Sequence, residues 1–436
     1  MAGYVPPEMV TTPWGDASTL RDRRLSPGRG TPREEVCQNQ RERLFAAMVA
    51  VTAEKGYAET SVADLVELSG VSSRSFYQHF ADKEECFLAA MDEILGGVQG
   101  RTTVALQGDG DQRKRVEDTG KKLIETLALQ PAAARLWLVE SFCAGERAQA
   151  RMNQALDGFA PLLQAVLDQI PERRGMPPQL TEALLGGVSG VIYGRLANGK
   201  VDSVRRLAPA LSEWALSIPP PPHALRSPDR RKRIPGTNPP PFAAHVPGER
   251  ILRGFTSVVA EKGYAAATIA DTAAAASISQ NTFYAHFRDK EDALHAALDS
   301  SGAQLVAATL PAVRRAPPWP AALRVALEAA FGFLAAEPEF AHLRAVEVYA
   351  IGPEAVELRN RQGGEIVQVL RSMAADAPTE IAPIPLEATL AAVNSLLYQW
   401  VRHEGARRLP ELVPLATYLV LAPLIGAEEA HETACG

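Results

Sequence analysis

The sequence predicts an all-α protein built from a duplicated unit. The stretch SFYQHFADKEE at residues 75–85 returns as TFYAHFRDKED at 282–292. Matching residues stay 207 positions apart, and 22 of the 51 residues at 42–92 are identical to those at 249–299. A period this long indicates two whole modules rather than the short repeats of a solenoid. Helical spacing of apolar residues in and between these modules predicts helices throughout.

The overall composition predicts a soluble globular chain of about two to four domains. The 436 residues are 46% hydrophobic and 22% charged, with a net charge of −6. No run of 18 or more apolar residues and no signal-peptide core occur, so we expect a cytoplasmic protein without a membrane span. Four cysteines stand outside any CxxC or Cys/His cluster, which favours reduced thiols over a disulfide or metal framework. We therefore expect no metal and no cofactor.

Residues 41–95, called the first head, read as four short helices. The first helix should run from about Arg41 to Lys55 and end at Gly56 in a left-handed cap. Ser61 with Asp64 three residues later is a capping box that starts the second helix. Gly70 allows a tight turn, and Ser72 and Asp82 are the N-caps of the third and fourth helices. Two helices joined by a short turn predict a helix-turn-helix.

Residues 248–300, called the second head, repeat this pattern with one physical difference. Thr268 and Asp271 repeat the capping box, and Ser279 repeats the N-cap. Ser277 stands where the first head has Gly70, so we expect a turn that avoids positive φ.

The remaining segments complete the predicted organisation. Residues 1–40 are rich in Pro, Gly and Arg and predict a disordered basic arm. Long helical regions follow each head, at 100–218 (the first body) and 303–426 (the second body). Residues 219–247 form a Pro-rich linker around a basic stretch at 230–233, which should be extended and semi-stiff.

The third helices present polar side chains that are able to reach base edges. Arginine can bridge the two acceptors of guanine, and asparagine or glutamine can bridge adenine. Lys83 and Lys290 lie in the first turn of a helix, where the helix dipole disfavours a cation, so a nearby phosphate would explain them. His79 and His286 are either phosphate contacts or ordinary histidines. The arginines of the arms either add phosphate and minor-groove contacts or are simply solvated.

Residues 54–85 and 261–292 resemble the DNA-binding domain of the TetR/AcrR family of bacterial regulators, through EKGY, the capping box and FYxHFxxKE. The resemblance implies an all-α protein whose heads bind double-stranded DNA, and whose bodies bind small molecules and form dimers. It also implies DNA-contacting residues, which by position are Thr60, Ser61, Ser73, Arg74, Ser75, Tyr77, His79, Lys83, Thr268, Gln280, Asn281, Thr282, Tyr284, His286 and Lys290. Family members normally hold one head per chain, whereas this chain holds two.

Members of the family dimerise through the last two long helices of each subunit. Here they fall at 180–197 with 204–218, and at 386–403 with 410–424. Gly186, Gly187 and Gly190 would let helices approach closely. We therefore expect an intramolecular pseudo-dimer, with a homodimer as a second possibility, whose two different heads read an asymmetric operator about one helical turn in length.

An effector, expected to be apolar, would bind in the bodies and switch DNA affinity. The candidate ligand contacts are Trp137, Glu140, Phe142, Tyr193, Phe331, Glu347, Tyr349 and Tyr398. For the aromatic residues the alternative is core packing, and for the two glutamates it is the capping of a neighbouring helix.

The expected function is a DNA-binding transcriptional regulator, in particular a ligand-responsive repressor. The alternative is a small-molecule-binding or interaction protein in which one or both heads no longer bind DNA. The sequence holds no nucleophile elbow, phosphate loop or metal constellation, so an enzyme is not expected.

Overall fold

The structure, a computed structural model, describes residues 7–25, 32–107, 111–226, 247–315, 319–373 and 383–436. These residues are almost entirely helical, as the sequence predicts. Internal contacts divide the chain into two compact units, residues 1–170 with 191–212, and residues 171–190 with 213–436. The first head lies in the first unit and the second head in the second unit.

The first head begins with a long helix that is interrupted at one glycine. Its helices are α1 Arg33–Glu59, α2 Val62–Ser69, α3 Ser73–His79 and α4 Lys83–Gln107. Gly56 inside α1 has φ 79° and ψ 164°, so the predicted left-handed cap is instead an extended turn with positive φ. The capping box of Ser61 with Asp64 forms as predicted, and Ser72 accepts from the Ser75 N–H at the start of α3.

The first body continues from α4. Its helices are α5 Gln112–Leu129, α6 Pro131–Arg135, α7 Ser141–Cys143, α8 Glu146–Leu167, α9 Pro178–Ala197, α10 Val201–Val204 and α11 Ala208–Ser217. A π-helical turn, Leu136–Glu140, joins α6 to α7, and 3₁₀ turns lie at Pro171–Arg173 and Arg205–Leu207.

The second head and body repeat this order. Their helices are α12 Pro247–Lys262, α13 Ile269–Ala275, α14 Gln280–His286, α15 Lys290–Arg315, α16 Ala321–Ala336, α17 Pro338–His342, α18 Val348–Ile351, α19 Pro353–Met373, α20 Pro383–His403, α21 Val413–Ile425 and α22 Ala427–Cys435. A π-helical turn at Leu343–Glu347 again precedes the short helix, and Ala406–Leu412 is a 3₁₀ helix. Helix α22 lies beyond the predicted end of the second body.

The N-terminal segment is ordered where we expected a disordered arm. Residues 7–25 contain 3₁₀ turns at Pro7–Met9 and Ala17–Thr19 and a hairpin of β1 Thr11–Thr12 with β2 Gly15–Asp16. The Trp14 ring packs 5.3 Å from that of Phe45 in α1, and Leu20 is fully buried. The disorder prediction is therefore wrong for 7–25, where two single apolar residues, Trp14 and Leu20, hold a segment that has no periodic apolar pattern. It is also wrong for 33–40, which is the start of α1.

The turn of the second helix-turn-helix carries a strained residue. Ser277 has φ 54°. Among the described residues, no other non-glycine residue has a positive φ. Its counterpart Gly70 has φ 64°. Our expectation that serine would avoid this conformation is wrong, because the turn between α13 and α14 keeps the geometry that glycine sets in the first head.

Close helix packing in the second unit matches the predicted use of small residues. A Cβ on Gly186 would lie 2.0 Å from Ser395 Oγ, and one on Gly190 would lie 2.8 Å from Ala391 Cβ. Ser395 is the counterpart of Gly190, and Ala391 is the counterpart of Gly186. Such reciprocal contacts follow a local two-fold pattern.

One stretch among the described residues, Ala406–Ile425, is long and apolar enough to cross a membrane. More than half of it, 56%, is buried inside the protein. Tyr418, Leu419 and Leu421 on α21 are fully buried, which is how the core helix of a globular domain packs.

Substituting Ser277 by glycine should stabilise the second head. A non-glycine residue in the left-handed region costs about 1–2 kcal/mol, and the extra chain freedom of glycine returns about 0.5–1 kcal/mol of that. Native-state hydrogen exchange of the α13 and α14 amides should report a gain of about 1 kcal/mol. The reciprocal change Gly70→Ser should lower the protection of α2 and α3, and equal protection in all three proteins would contradict the argument.

Candidate DNA-binding interface

The predicted base-reading residues form exposed faces on the third helix of each head. Ser73, Arg74 and Tyr77 are exposed on α3, with Tyr77 60% exposed. On α14, Gln280 and Asn281 are exposed, and Tyr284 is 55% exposed. Ser75 and Thr282 are half-buried, because each also bonds to the N-cap serine of its helix. The structure thus places all of the predicted base-reading side chains on one short helix per head.

An apolar core holds each of these short helices in place. Phe76 is fully buried and packs on Phe80, 5.8 Å away between ring centroids. In the second head Phe283 and Phe287 repeat the pair at 5.7 Å. Tyr77 and Tyr284 stand edge-on to the buried phenylalanines, at 5.3 and 5.7 Å. Exposed aromatic rings anchored in this way are rigid contact groups at little cost in side-chain entropy.

A basic cavity adjoins the recognition helix of the first head. It has a volume of about 310 Å³ and is lined by side chains of the N-terminal segment, α1 and the turn between α2 and α3. Arg24 lines it and is exposed. Arg21 donates to the Glu67 carbonyl, and buried Arg43 donates to the Ser69 carbonyl over 3.0 Å. Arginines beside the N-terminus of a helix suit a phosphate group.

Lys83 and Lys290, the predicted phosphate contacts, have a structural role within the heads, and their contact with DNA stays a prediction. Lys83 Nζ donates to the carbonyls of Tyr57 at 3.1 Å, Ala58 at 3.2 Å and Thr60 at 2.8 Å. It also lies 4.5 Å from the centre of the Tyr57 ring. Lys290 repeats the arrangement, 2.8 Å from the Tyr264 carbonyl and 4.3 Å from its ring. The ammonium has three donors, and in the first head it has three carbonyl acceptors where the first helix ends.

Other predicted phosphate contacts differ between the heads. Thr60 is buried, and its hydroxyl donates to the Gly56 carbonyl over 2.8 Å, so it is not available to DNA. Ser61 and Thr268 are exposed N-caps at the start of α2 and α13.

The two histidines also differ in their surroundings. His79 is half-buried and its Nε2 lies 2.9 Å from Gln40 Oε1. Burial, and then the charge of Arg41, lower the pKa of His79, so any contact that it makes near neutral pH is a hydrogen bond rather than a charge. His286 is exposed.

Glu140 and Glu347 fasten each head to its body and are not free for a ligand. Glu140 Oε2 accepts from the Tyr57 N–H over 2.9 Å, and Glu347 Oε2 accepts from the Tyr264 N–H over 2.8 Å. The other oxygen of Glu140 accepts from Arg135 Nε at 3.0 Å, while that of Glu347 lies 3.3 Å from His342 Nε2. The ligand role predicted for the two glutamates is therefore corrected to the structural alternative. Sequence reasoning could not find the tyrosine N–H partners, because they lie 83 residues away from the glutamates.

The predicted aromatic ligand contacts lie in the interior of each body. Phe142 and Tyr193 form an edge-on pair at 6.1 Å in the first body, and their counterparts Tyr349 and Tyr398 form one at 5.8 Å in the second. Trp137 and Phe331 are buried. The structure brings each pair together, and their contact with a ligand stays a prediction. In the part of the chain that the structure describes, no three His, Cys, Asp or Glu side chains come together as a metal site would require.

Replacing Lys83 by methionine should cost stability without changing the salt dependence of DNA binding. The change removes the lysine donor from the Ala58 and Thr60 carbonyls, while the Tyr57 carbonyl keeps the Thr60 N–H, and it should lower the free energy of unfolding by about 1–3 kcal/mol in urea titrations. Lys55→Met is the control, since it removes only a surface ion pair with Asp64, worth at most about 1 kcal/mol. If Lys83 did contact a phosphate, the slope of log K against log salt would become shallower by about 0.9.

Comparison with known proteins identifies the family of the two heads. The family model described as "Bacterial regulatory proteins, tetR family" matches the chain at residues 44–90 and again at 251–297. Both matches lie inside the heads and are 207 residues apart.

Relatives with similar sequences align with little more than a third of this chain. The nucleoid occlusion factor SlmA of Aliivibrio fischeri (strain MJ11) is 25% identical over 157 residues, which are 36% of this chain and 79% of that protein. The HTH-type transcriptional activator FasR of Mycolicibacterium smegmatis is 22% identical over 164 residues, 38% of this chain and 72% of its own.

Among solved structures, the regulator FadR from Bacillus subtilis in complex with stearoyl-CoA aligns with a TM-score of 0.37 and 19% identity, over 40% of this chain and 97% of that one. FadR from Bacillus halodurans aligns with the same TM-score and 20% identity, over 42% and 97%. The repeated family match and the two helix-turn-helix heads lead to one conclusion: the chain carries the DNA-binding domain of the TetR family of bacterial regulatory proteins twice in tandem.

Proposed function

We propose that this chain is a ligand-responsive repressor whose two heads read the two different halves of one asymmetric operator. The observation that supports this most directly is the pair of exposed recognition faces. Both present a tyrosine at the same position of the helix, but Arg74 in the first head stands where the second has Asn281. Arginine favours guanine and asparagine favours adenine in the major groove, so the two half-sites should differ.

The pseudo-two-fold contact within the second unit supports a single chain that supplies both halves of a dimer-like interface. The reciprocal contacts of Gly186 with Ser395 and of Gly190 with Ala391 are those that two subunits would make. A chain that supplies both halves of this contact is free to diverge in each half. We propose a cytoplasmic, monomeric pseudo-dimer, with no membrane partner, as the species that binds the operator.

The head–body joint offers a route by which an effector could change DNA affinity. In the first unit Arg135 donates to Glu140 and also to the carbonyls of Leu196 and Ala197, at 3.3 and 3.5 Å. Glu140 in turn holds the Tyr57 N–H at the end of α1. We propose that an effector in the body acts by favouring one arrangement of this joint, and it can shift the equilibrium only by its differential affinity for the two arrangements.

The second candidate function is a small-molecule-binding or interaction protein in which one or both heads no longer bind DNA. The strained turn at Ser277 is the observation that favours it, because it weakens the second helix-turn-helix. Binding-site selection from random duplexes with the full-length chain separates the two functions. An interaction protein would enrich no sequence, and one active head would enrich a single half-site.

Arg74→Ala should weaken binding to the selected operator by about 1–3 kcal/mol and relax the guanine preference in one half-site. Asn281→Ala should relax the preference in the other half-site only, and therefore serves as the matched control. Binding of each variant to a panel of single-base changes in the operator measures both effects. Selection of a perfect palindrome, or loss of the same bases in both variants, would count against two independent readers.

Arg24→Ala should make the salt dependence of operator binding shallower. One lost phosphate contact reduces the slope of log K against log salt by about 0.9 and weakens binding to all sequences alike. Arg101→Ala is the control, because Arg101 is an exposed arginine outside the first head. Equal slopes for the two variants would show that the basic cavity beside α3 does not contact DNA.

A further inference from the structure

The interior of the second body holds two arginines that have no acidic partner. Arg344 is 5% exposed and Arg359 is 7% exposed. Neither takes part in an ion pair among the described residues of the chain. A buried charge costs several kcal/mol unless it is paired and hydrogen-bonded, so this arrangement calls for an explanation.

Arg344 is accounted for only in part by its neighbours. Its Nη1 donates to the Leu298 carbonyl at 3.1 Å, to Gln362 Oε1 at 2.8 Å and to Ser301 Oγ at 3.4 Å. These acceptors are neutral. The carboxylate of Asp299 is exposed and accepts from Gln362 Nε2 at 3.2 Å. Burial, and then the charge of Arg359, lower the pKa of Arg344 to about 10, and the charge of Asp299 offsets this only in part.

The guanidinium of Arg359 has even fewer hydrogen-bond partners. Its Nε and Nη2 both donate to the side chain of the next residue, Asn360, at 3.2 and 2.9 Å. The guanidinium lies 4.9 Å from the centre of the Tyr349 ring. Its Nη1 is buried and has no hydrogen-bond partner. A buried guanidinium with an unused donor, flanked by an aromatic ring, is prepared for an anionic acceptor.

The first body shows that the fold itself does not need these arginines. At the matching positions, 207 residues earlier, it has Trp137 and Met152, which are 6% and 4% exposed. The same helix positions are thus filled by apolar side chains in one copy and by cations in the other. The charge is a property that the second body has in addition to the shared core.

We propose that Arg359, with Arg344 beside it, is an anion-binding subsite of the second body, which takes the carboxylate or phosphate of an amphipathic effector. Buried Ala355 and Val356 on α19 and the Tyr349 ring give the remainder of such a molecule an apolar surface. The Arg359 Nη1 is closed to solvent, so binding requires the side chain to leave Asn360 and turn toward the ligand. This inference rests on the proposed function only in naming the ligand an effector.

The test is ligand binding by the full-length chain without DNA, followed by thermal unfolding. The probes are decanoate, decyl phosphate and decanol, which share an apolar chain and differ in the head group. At least one of the two anions should raise the Tm in a concentration-dependent way, and decanol at the same concentrations should not. The stronger of the two anions shows whether a carboxylate or a phosphate is preferred.

Arg359→Met places in the second body the residue that the first body has at this position. It should weaken binding of the effective anion at least tenfold, and it should leave the ligand-free Tm unchanged or raise it, because an unpaired buried charge has been removed. Arg361→Met is the matched control, since Arg361 is exposed on the same helix and its loss changes the net charge equally. Arg359→Lys keeps a cation and should retain binding within tenfold.

Three results would overturn the proposal. They are equal stabilisation by decanol, unchanged anion binding in Arg359→Met, and a ligand-free Tm of Arg359→Met well below that of the wild-type chain. The last would show that Arg359 stabilises the fold by itself. Release of operator DNA is measured separately, so a subsite that binds anions in a chain without DNA affinity would contradict the proposed function and leave this inference standing.

Discussion

The structure of each half depends on the turn that ends the first helix of the head. At Gly56 and Gly263 the backbone takes positive φ, and the helix can no longer satisfy its own last carbonyls. A lysine from the fourth helix, Lys83 or Lys290, donates to these carbonyls. A glutamate from the body accepts the N–H of the tyrosine that follows the glycine. The cation therefore holds this turn within the head, the anion joins the turn to the body, and both copies keep the two contacts.

Around this shared joint the two copies have diverged in places that the joint does not constrain. The recognition helices differ in their exposed residues but keep the buried phenylalanines below them. The bodies differ in their interior, where buried Trp137 and Met152 in one copy correspond to Arg344 and Arg359 in the other. The joint differs in one partner, since Arg135 contacts Glu140 and His342 contacts Glu347. The divergence thus falls on the exposed residues of the third helices and on the interior of the bodies, whereas the connection between head and body is retained.

Elements whose stabilising contacts are local were predictable, and elements stabilised at long range were not. The capping boxes at Ser61 and Thr268 formed as predicted, since each closes within four residues. The structural role of Lys83 was missed because its carbonyl partners lie more than 20 residues earlier in the chain. The N-terminal segment was misread as disordered because its single anchors, Trp14 and Leu20, show no period.

The sequence by itself determined the duplication, the all-α class and the polar residues at the start of the third helix of each head. It could do so because repeats, capping boxes and helical periods are properties of neighbouring residues. Only the tertiary structure decided which charged groups remain free for a partner. Lys83, Glu140 and Arg21 bond to backbone groups within the chain, whereas Arg74 is exposed and Arg359 keeps a buried, unused donor. The function of a charged side chain depends on whether folding has already satisfied it, and its position in the sequence does not show this.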